Sequence, residues 1–383
     1  MKRLGYLVAV GLLLIGLLPV RAAAVELDVG GKSACLMDVE TGTVLYEKNA
    51  HEPLAPASVT KVMTMLLIME AIDSGKIGWN DPVTASESAA AKGGSQIYLK
   101  VGETMSVTDM LKSIAVSSAN DCACAMAEHI AGSESAFVEM MNRRAEELGM
   151  ADTHFVNCTG LDDGPDAAAH RTSAYDIALM SRELLKFHPD ITKFTTIWMD
   201  TVRDGAFGLS NTNKLVRFYT GCTGLKTGFT SGAGYCLSAT AKREGMELIA
   251  VVMGCETSNQ RTAACKAMLD YGFANYALVT PTEENRQVPV ELGTADTVGV
   301  RLGETGGLLV EKGQKSSITT EVTLEESVTA PVSRGQRLGT MTIRAGDQVL
   351  AQLPLVAAEG VPRLTWGQLF GKILRQVAMS REG

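Results

Sequence analysis

Two stretches with the texture of β-strands lie far apart in this chain, separated by a long run of helical periodicity. From Ser33 to Lys48, "SACLMDVETGTVLYEK" reads as two strands around a turn at Glu40–Gly42. Far downstream, "AGYCLSATAKREGMELIAVVMG" alternates in two β-rich halves around Glu244-Gly245, which is a hairpin pattern. Between them a strong helix runs from Ser58 to about Ser74 and stops before Gly75. "SVTDMLKSIAVSSANDCACAMAEHIAG" opens on a Ser106-to-Asp109 capping pair, breaks at Ser117–Asn120 and resumes to about Ala131. "SESAFVEMMNRRAEELGM" and "TSAYDIALMSRELLKF" are amphipathic, and "SNQRTAACKAMLDYGF" closes the region as a helix. Such an order predicts a sheet assembled from both ends of one α+β domain of about 250 residues, with helices on its faces.

After about Leu278 helical periodicity is absent. Short β-rich runs with turn signals, such as "RQVPVEL", "TVGVRLG" and "SSITTEVTL", predict a separate small β-sandwich over 279–358. It holds no clustered acid, base or metal-type residues, so a spacer or contact role is expected. In 362–383, Trp366, Leu369, Phe370, Ile373, Leu374 and Val377 recur on one helical face, flanked by Lys372 and Arg375. From Arg363 onward only Glu382 opposes Arg363, Lys372, Arg375 and Arg381, in a chain of net charge −8. A basic amphipathic helix of this kind suits a membrane surface; docking on the β-domain is the alternative.

The other end, 1–24, carries Lys2 and Arg3, an apolar stretch, Pro19 and then small residues to Ala24. That is the order of a signal peptide; an uncleaved anchor is the other reading, and both put the remaining chain outside the cytoplasm. The expected location is therefore the outer face of the cytoplasmic membrane, with peripheral anchoring. Export permits disulfides, yet the eight cysteines are scattered through apolar or turn contexts and read as small buried hydrophobes. A Cys222–Cys236 bridge stays open. The acidic balance argues against a nucleic-acid partner.

Inside "LAPASVTKVMTMLL", Ser58 and Lys61 share a helical face at the first turn, beside unpaired backbone N–H groups. A serine nucleophile needs a base, and a lysine serves if burial, the helix dipole and a second cation lower its pKa. Two later strings supply partners: Ser118-Ala119-Asn120, at the break between helices, and Lys226-Thr227-Gly228, opening a β-rich stretch. Ser118 fits a proton shuttle. Asn120 fits a hold on Lys61 and on a substrate amide. Lys226 adds the second charge and attracts a carboxylate, with Thr227 hydrogen-bonding it. Gly228 leaves room for an extended peptide along the strand edge. The backbone N–H groups of Ser58 and Phe229 would form an oxyanion hole. This three-part set occurs in penicillin-binding proteins and class A β-lactamases.

With "PASVTKVMT", "SSANDCACAMAEHIAGSE", "NCTGLDD", "NTNKL", "GLKTGFTSGAGYCLSATA" and "LIAVVMG", the chain resembles the D-alanyl-D-alanine carboxypeptidases, the low-molecular-mass penicillin-binding proteins. The resemblance spans 25–277 and extends to the β-domain and basic tail. It implies a penicillin-binding/serine β-lactamase-like domain with an antiparallel sheet. It also implies removal of the terminal D-alanine from peptidoglycan stem peptides through an acyl-enzyme on Ser58, and β-lactams as covalent inhibitors. Arg261 matches a family position near the carboxylate pocket, while Thr212 stands where some relatives carry an arginine.

Two other readings remain. A serine β-lactamase would need an acidic residue to activate the deacylating water, typically in a Glu-x-x-Leu-Asn loop, and no such string lies between Asn120 and Lys226. A silent wall-binding scaffold would not need the catalytic side chains that are present. His51, His129, His154, His170 and His188 have no metal-binding spacing and are expected in loops or at the surface, so neither metal nor cofactor is implied.

Overall fold

Strand β1 (Ser33–Asp38) is buried at every position, because both faces of the sheet it belongs to are covered. The computed structural model describes residues 27, 29–282, 285–303 and 306–379; the segment read as a signal peptide lies outside the described residues. β1 pairs on one side with β2 (Val44–Lys48) and on the other with a strand from far downstream. With β3 (Cys222–Thr230), β4 (Gly234–Arg243) and β5 (Met246–Cys255), the sheet runs β2-β1-β5-β4-β3, all antiparallel. The sheet is thus built from both ends of the domain, as the sequence pattern implies.

Side-chain alternation sorts the residues between two apolar clusters. Cys35 and Met37 of β1, with Ile249, Val251 and Met253 of β5, face the larger one. Ala34 and Leu36, with Leu248, Ala250 and Val252, face the other. Helix α1 (Lys61–Asp73) is the centre of the larger cluster, with nearly every residue buried, so it reads as apolar all round rather than amphipathic. Around it stand α2 (Val107–Ser117), α3 (Asn120–Ala131), α4 (Glu134–Glu147) and α5 (Ala174–Phe187). Helix α6 (Ser258–Asn275) covers the opposite face through Ala264, Cys265, Met268, Leu269 and Phe273. α2, α4, α5 and α6 each begin on a Ser or Thr whose side chain accepts a hydrogen bond from the backbone N–H three residues on. Each such cap stabilises by about 1 kcal/mol.

The β-rich unit takes up the chain at β6 (Tyr276–Val279), continuing through β7 (Arg286–Glu291), β8 (Thr297–Leu302), β9 (Leu308–Glu311), β10 (Ile318–Leu324), β11 (Val328–Thr329), β12 (Arg337–Ala345) and β13 (Gln348–Ala357). Its main sheet has the order β10-β12-β13-β8-β7-β11, with β6 and β9 forming a separate ribbon. Two small clusters around Val288–Leu338 and Met341–Leu355 hold it together. The chain ends in α7 (Trp366–Met379), where Lys372 pairs with Asp296 while Trp366 and Phe370 stand 87% and 64% exposed. Among the described residues no helix is long and apolar enough to cross a membrane.

All eight cysteines are free; seven are buried and Cys222 is half-buried, so no Cys222–Cys236 bridge forms.

Candidate active site

Ser58 lies in a short 3-10 turn, Ala57–Thr60, that runs directly into α1. Lys61 is fully buried on the first turn of that helix, with Nζ 2.9 Å from Ser58 Oγ and 2.8 Å from the carbonyl of Thr159. Burial lowers its pKa to about 7, against the opposing pull of Cys158 and Asp121. The lysine is therefore readily neutral while it touches the serine hydroxyl. Ser58 itself is only half-buried.

Ser118 and Asn120 flank the break between α2 and α3. Ser118 caps α2 in the left-handed conformation, with φ 63°. Its Oγ and the Oδ1 of Asn120 are buried without a hydrogen-bond partner, a costly state unless a ligand completes it. The Asn120 amide donates to the carbonyl of Gly93 at 2.7 Å, and its backbone N–H donates to Ser95. The expected Asn120 hold on Lys61 is replaced here by the Thr159 carbonyl.

The third string lies on the edge strand β3. Lys226 is buried, with Nζ 2.9 Å from the carbonyl of Thr227. Burial pushes its pKa well down, and the charges of Lys61 and Arg261 push the same way. The Lys226 depression is thus set first by desolvation, with the two cations adding to it, whereas at Lys61 the lowering comes from burial and not from a second cation. Thr227 Oγ1 is 2.6 Å from Thr212 Oγ1, so the residue that stands where some relatives carry an arginine meets the threonine expected to bind a carboxylate. A side chain at Gly228 would put its Cβ 2.7 Å from the Pro56 carbonyl and 3.0 Å from the backbone nitrogen of Ser58. Glycine is what lets this strand lie against the Ser58 turn. The next residue, Phe229, projects outward and rests on Tyr235 with ring centroids 4.2 Å apart.

Arg261 stands behind that edge and is only 7% exposed. Its guanidinium donates to the carbonyls of Gly228 and Cys236 at 3.2 and 3.4 Å and packs over Tyr235. It braces β3 against β4, and its second guanidinium nitrogen donates to Ser258 Oγ on its own helix at 3.2 Å.

Several contributors escaped the sequence reading. Asn157 Oδ1 accepts from the backbone N–H groups of Thr159 and Gly160, folding the loop that brings the Thr159 carbonyl to Lys61. An Asn two residues before Thr-Gly is a recognisable Asx-turn signal. Gly93 and Thr159 act through carbonyls and leave no side-chain signal at all. His170, expected in a loop or at the surface, lies in a loop but is buried at 3% exposure, between Thr60 and the backbone of Val156.

Comparison with known proteins bears on the family and the fold. Residues 20–257 match the family described as D-alanyl-D-alanine carboxypeptidase, and residues 276–363 match the penicillin-binding protein 5 C-terminal domain. The chain is 44% identical over 376 residues to the D-alanyl-D-alanine carboxypeptidase DacF of Bacillus subtilis, covering 95% of each. Its structure is similar to penicillin-binding protein 5 of Haemophilus influenzae, with TM-score 0.74 and 30% identity over 88% of this chain and 98% of that one. It also resembles penicillin-binding protein D2 of Listeria monocytogenes in its ampicillin-bound form, with TM-score 0.59 and 32% identity over 64% and 99% of the two chains.

Proposed function

Because the chain belongs to the D-alanyl-D-alanine carboxypeptidase family and is a serine-type hydrolase of that kind, we propose that Ser58 is its nucleophile and Lys61 the base that activates it. The observation that carries this reading is the fully buried Lys61, its pKa lowered to about 7, with Nζ 2.9 Å from Ser58 Oγ. Ser58 Oγ attacks the carbonyl between the two terminal D-alanines of a stem peptide, and its proton passes to Lys61. The backbone N–H groups of Ser58 and Phe229 receive the oxyanion. Lys61 then returns the proton through Ser118 to the leaving amine, D-alanine departs, and Ser58 holds the acyl chain as an ester. Neutral once more, Lys61 takes a proton from water as it attacks the ester and passes that proton to the departing Ser58 Oγ, which frees the acid product and restores both side chains.

The unpartnered Asn120 Oδ1 receives the substrate amide N–H. Thr227 and Thr212 bind the terminal carboxylate beside Lys226, whose pKa rises when that negative charge arrives. Gly228 lets the peptide lie along the β3 edge, and Arg261 holds that edge in place. β-Lactams acylate the same serine.

Export and peripheral anchoring form part of this proposal. The basic tail and the exposed Trp366 and Phe370 support a membrane-surface role for α7.

The test is incubation with a D-Ala-D-Ala pentapeptide, read by mass. Loss of one D-alanine, abolished in Ser58→Ala, is expected. Joined peptides would instead make the chain a transpeptidase, and rapid turnover of penicillin without a lasting adduct would favour a β-lactamase.

A further inference from the structure

Ala57, the residue before the nucleophile, has φ 48°, a left-handed conformation unfavourable for a side chain with a Cβ. Such a conformation persists only where its surroundings over-determine it. Here three groups do so. The carbonyl of Ala57 accepts a hydrogen bond from Thr60 Oγ1 at 2.8 Å. On its other side it meets Gly160, where an added Cβ would fall 1.8 Å from that oxygen. Thr60 Oγ1 in turn lies 2.7 Å from Nε2 of His170.

The tautomer of His170 follows from its other contact. The backbone N–H of Val156 donates to Nδ1 at 3.1 Å, so Nδ1 is the bare nitrogen and Nε2 carries the hydrogen. Nε2–H therefore donates to Thr60 Oγ1, and the Thr60 hydroxyl donates onward to Ala57. The chain has one direction, and His170, Thr60 and Ala57 are all buried. It ends on the peptide carbonyl next to the backbone nitrogen assigned to the oxyanion hole.

We infer that His170, acting through the Thr60 hydroxyl, is a positioning residue for the reaction, holding the Ala57 turn so that Ser58 presents its hydroxyl and backbone N–H together. This rests on Ser58 being the nucleophile. Neither side chain touches substrate. The charged and titratable groups facing His170 are His154 and Arg171 from its own loop and Lys61 from α1. Burial first, and then these three charges, disfavour a positive charge on it, so the ring is a neutral donor near pH 7.

The experiment measures the second-order rate of acylation by a fluorescent penicillin, with melting temperature, for wild type, Thr60→Ser, Thr60→Val, His170→Gln and His170→Ala. Thr60→Ser keeps the hydroxyl and His170→Gln keeps an N–H donor; both are expected within about threefold of wild type. Thr60→Val and His170→Ala lose the relay and are expected to be slower by about tenfold to a hundredfold, the scale of a small misplacement of reacting groups. A folded Thr60→Val at wild-type rate overturns the inference. If Thr60→Val does not fold, the His170→Gln and His170→Ala pair decides it: equal rates overturn it, rescue by Gln supports it. No labelling of wild type would instead remove the Ser58 reading itself.

Discussion

As the proposed base, Lys61 would trade stability for chemistry at a single residue. Its folded pKa, about 7, lies below the unfolded value, so folding favours the neutral amine. Its contribution to stability is complete above the unfolded pKa near 10.5 and is lost as pH falls through 7, where a buried charge must be carried. Lys61→Met is expected to abolish acylation, by about a thousandfold or more, and to raise the melting temperature at pH 7 by a few degrees. Penicillin labelling and calorimetry on the same sample check both. In wild type the acylation rate should climb as pH rises through about 7; a flat profile from pH 5 to 9 would remove Lys61 as base. His170 carries the same sign at lower pH: burial lowers its pKa from 6.5 to about 4, so its stabilisation is lost as pH falls through that window. The drop in urea midpoint between pH 7 and 4.5 should shrink in His170→Gln. Side-chain chemistry at this scale was legible where it came as contiguous strings, as in Ser58 to Lys61. A lone histidine had no such string, and its burial follows from a loop that folds back on α1.

At the scale of elements, the site is a contact between the start of a helix and the edge of a sheet. Gly228 sets their distance. Gly228→Ala is expected to push β3 away from the Pro56 carbonyl and lower acylation by about a hundredfold, while the far-UV spectrum stays unchanged. Wild-type acylation in that variant would show that the close approach is dispensable. Helix α1 answers to packing instead: Leu66 is fully buried, and Leu66→Ala should cost about 3 kcal/mol in denaturant unfolding. Helix ends and the β4–β5 hairpin were readable because caps and turn residues are local. The edge strand β3 was less so, since its pairing with β4 and its approach to α1 are tertiary facts. The Thr159 and Gly93 carbonyls were invisible for a plainer reason: every residue has one.

For the whole molecule, change of texture along the chain marked the catalytic region, the β-rich unit and the terminal helix, because each spaces its apolar residues with a different period. What the periods do not encode is how α7 meets its surroundings. Its exposed Trp366 and Phe370 should bind anionic vesicles, and the double variant Trp366→Ser, Phe370→Ser should lose co-sedimentation while releasing D-alanine at the wild-type rate. The sheet itself has a further consequence, in time rather than space. β1 pairs with β5, Ala34 opposite Val252, so its central contact joins residues made early to residues made late. At ribosomal speed the wait between them is on the order of ten seconds or more. Until β3 and β5 arrive, the growing chain carries Ser58 and Lys61 without the edge that completes their site. On the proposed reading, a nascent chain should not be labelled by penicillin, and labelling is expected only once the domain closes.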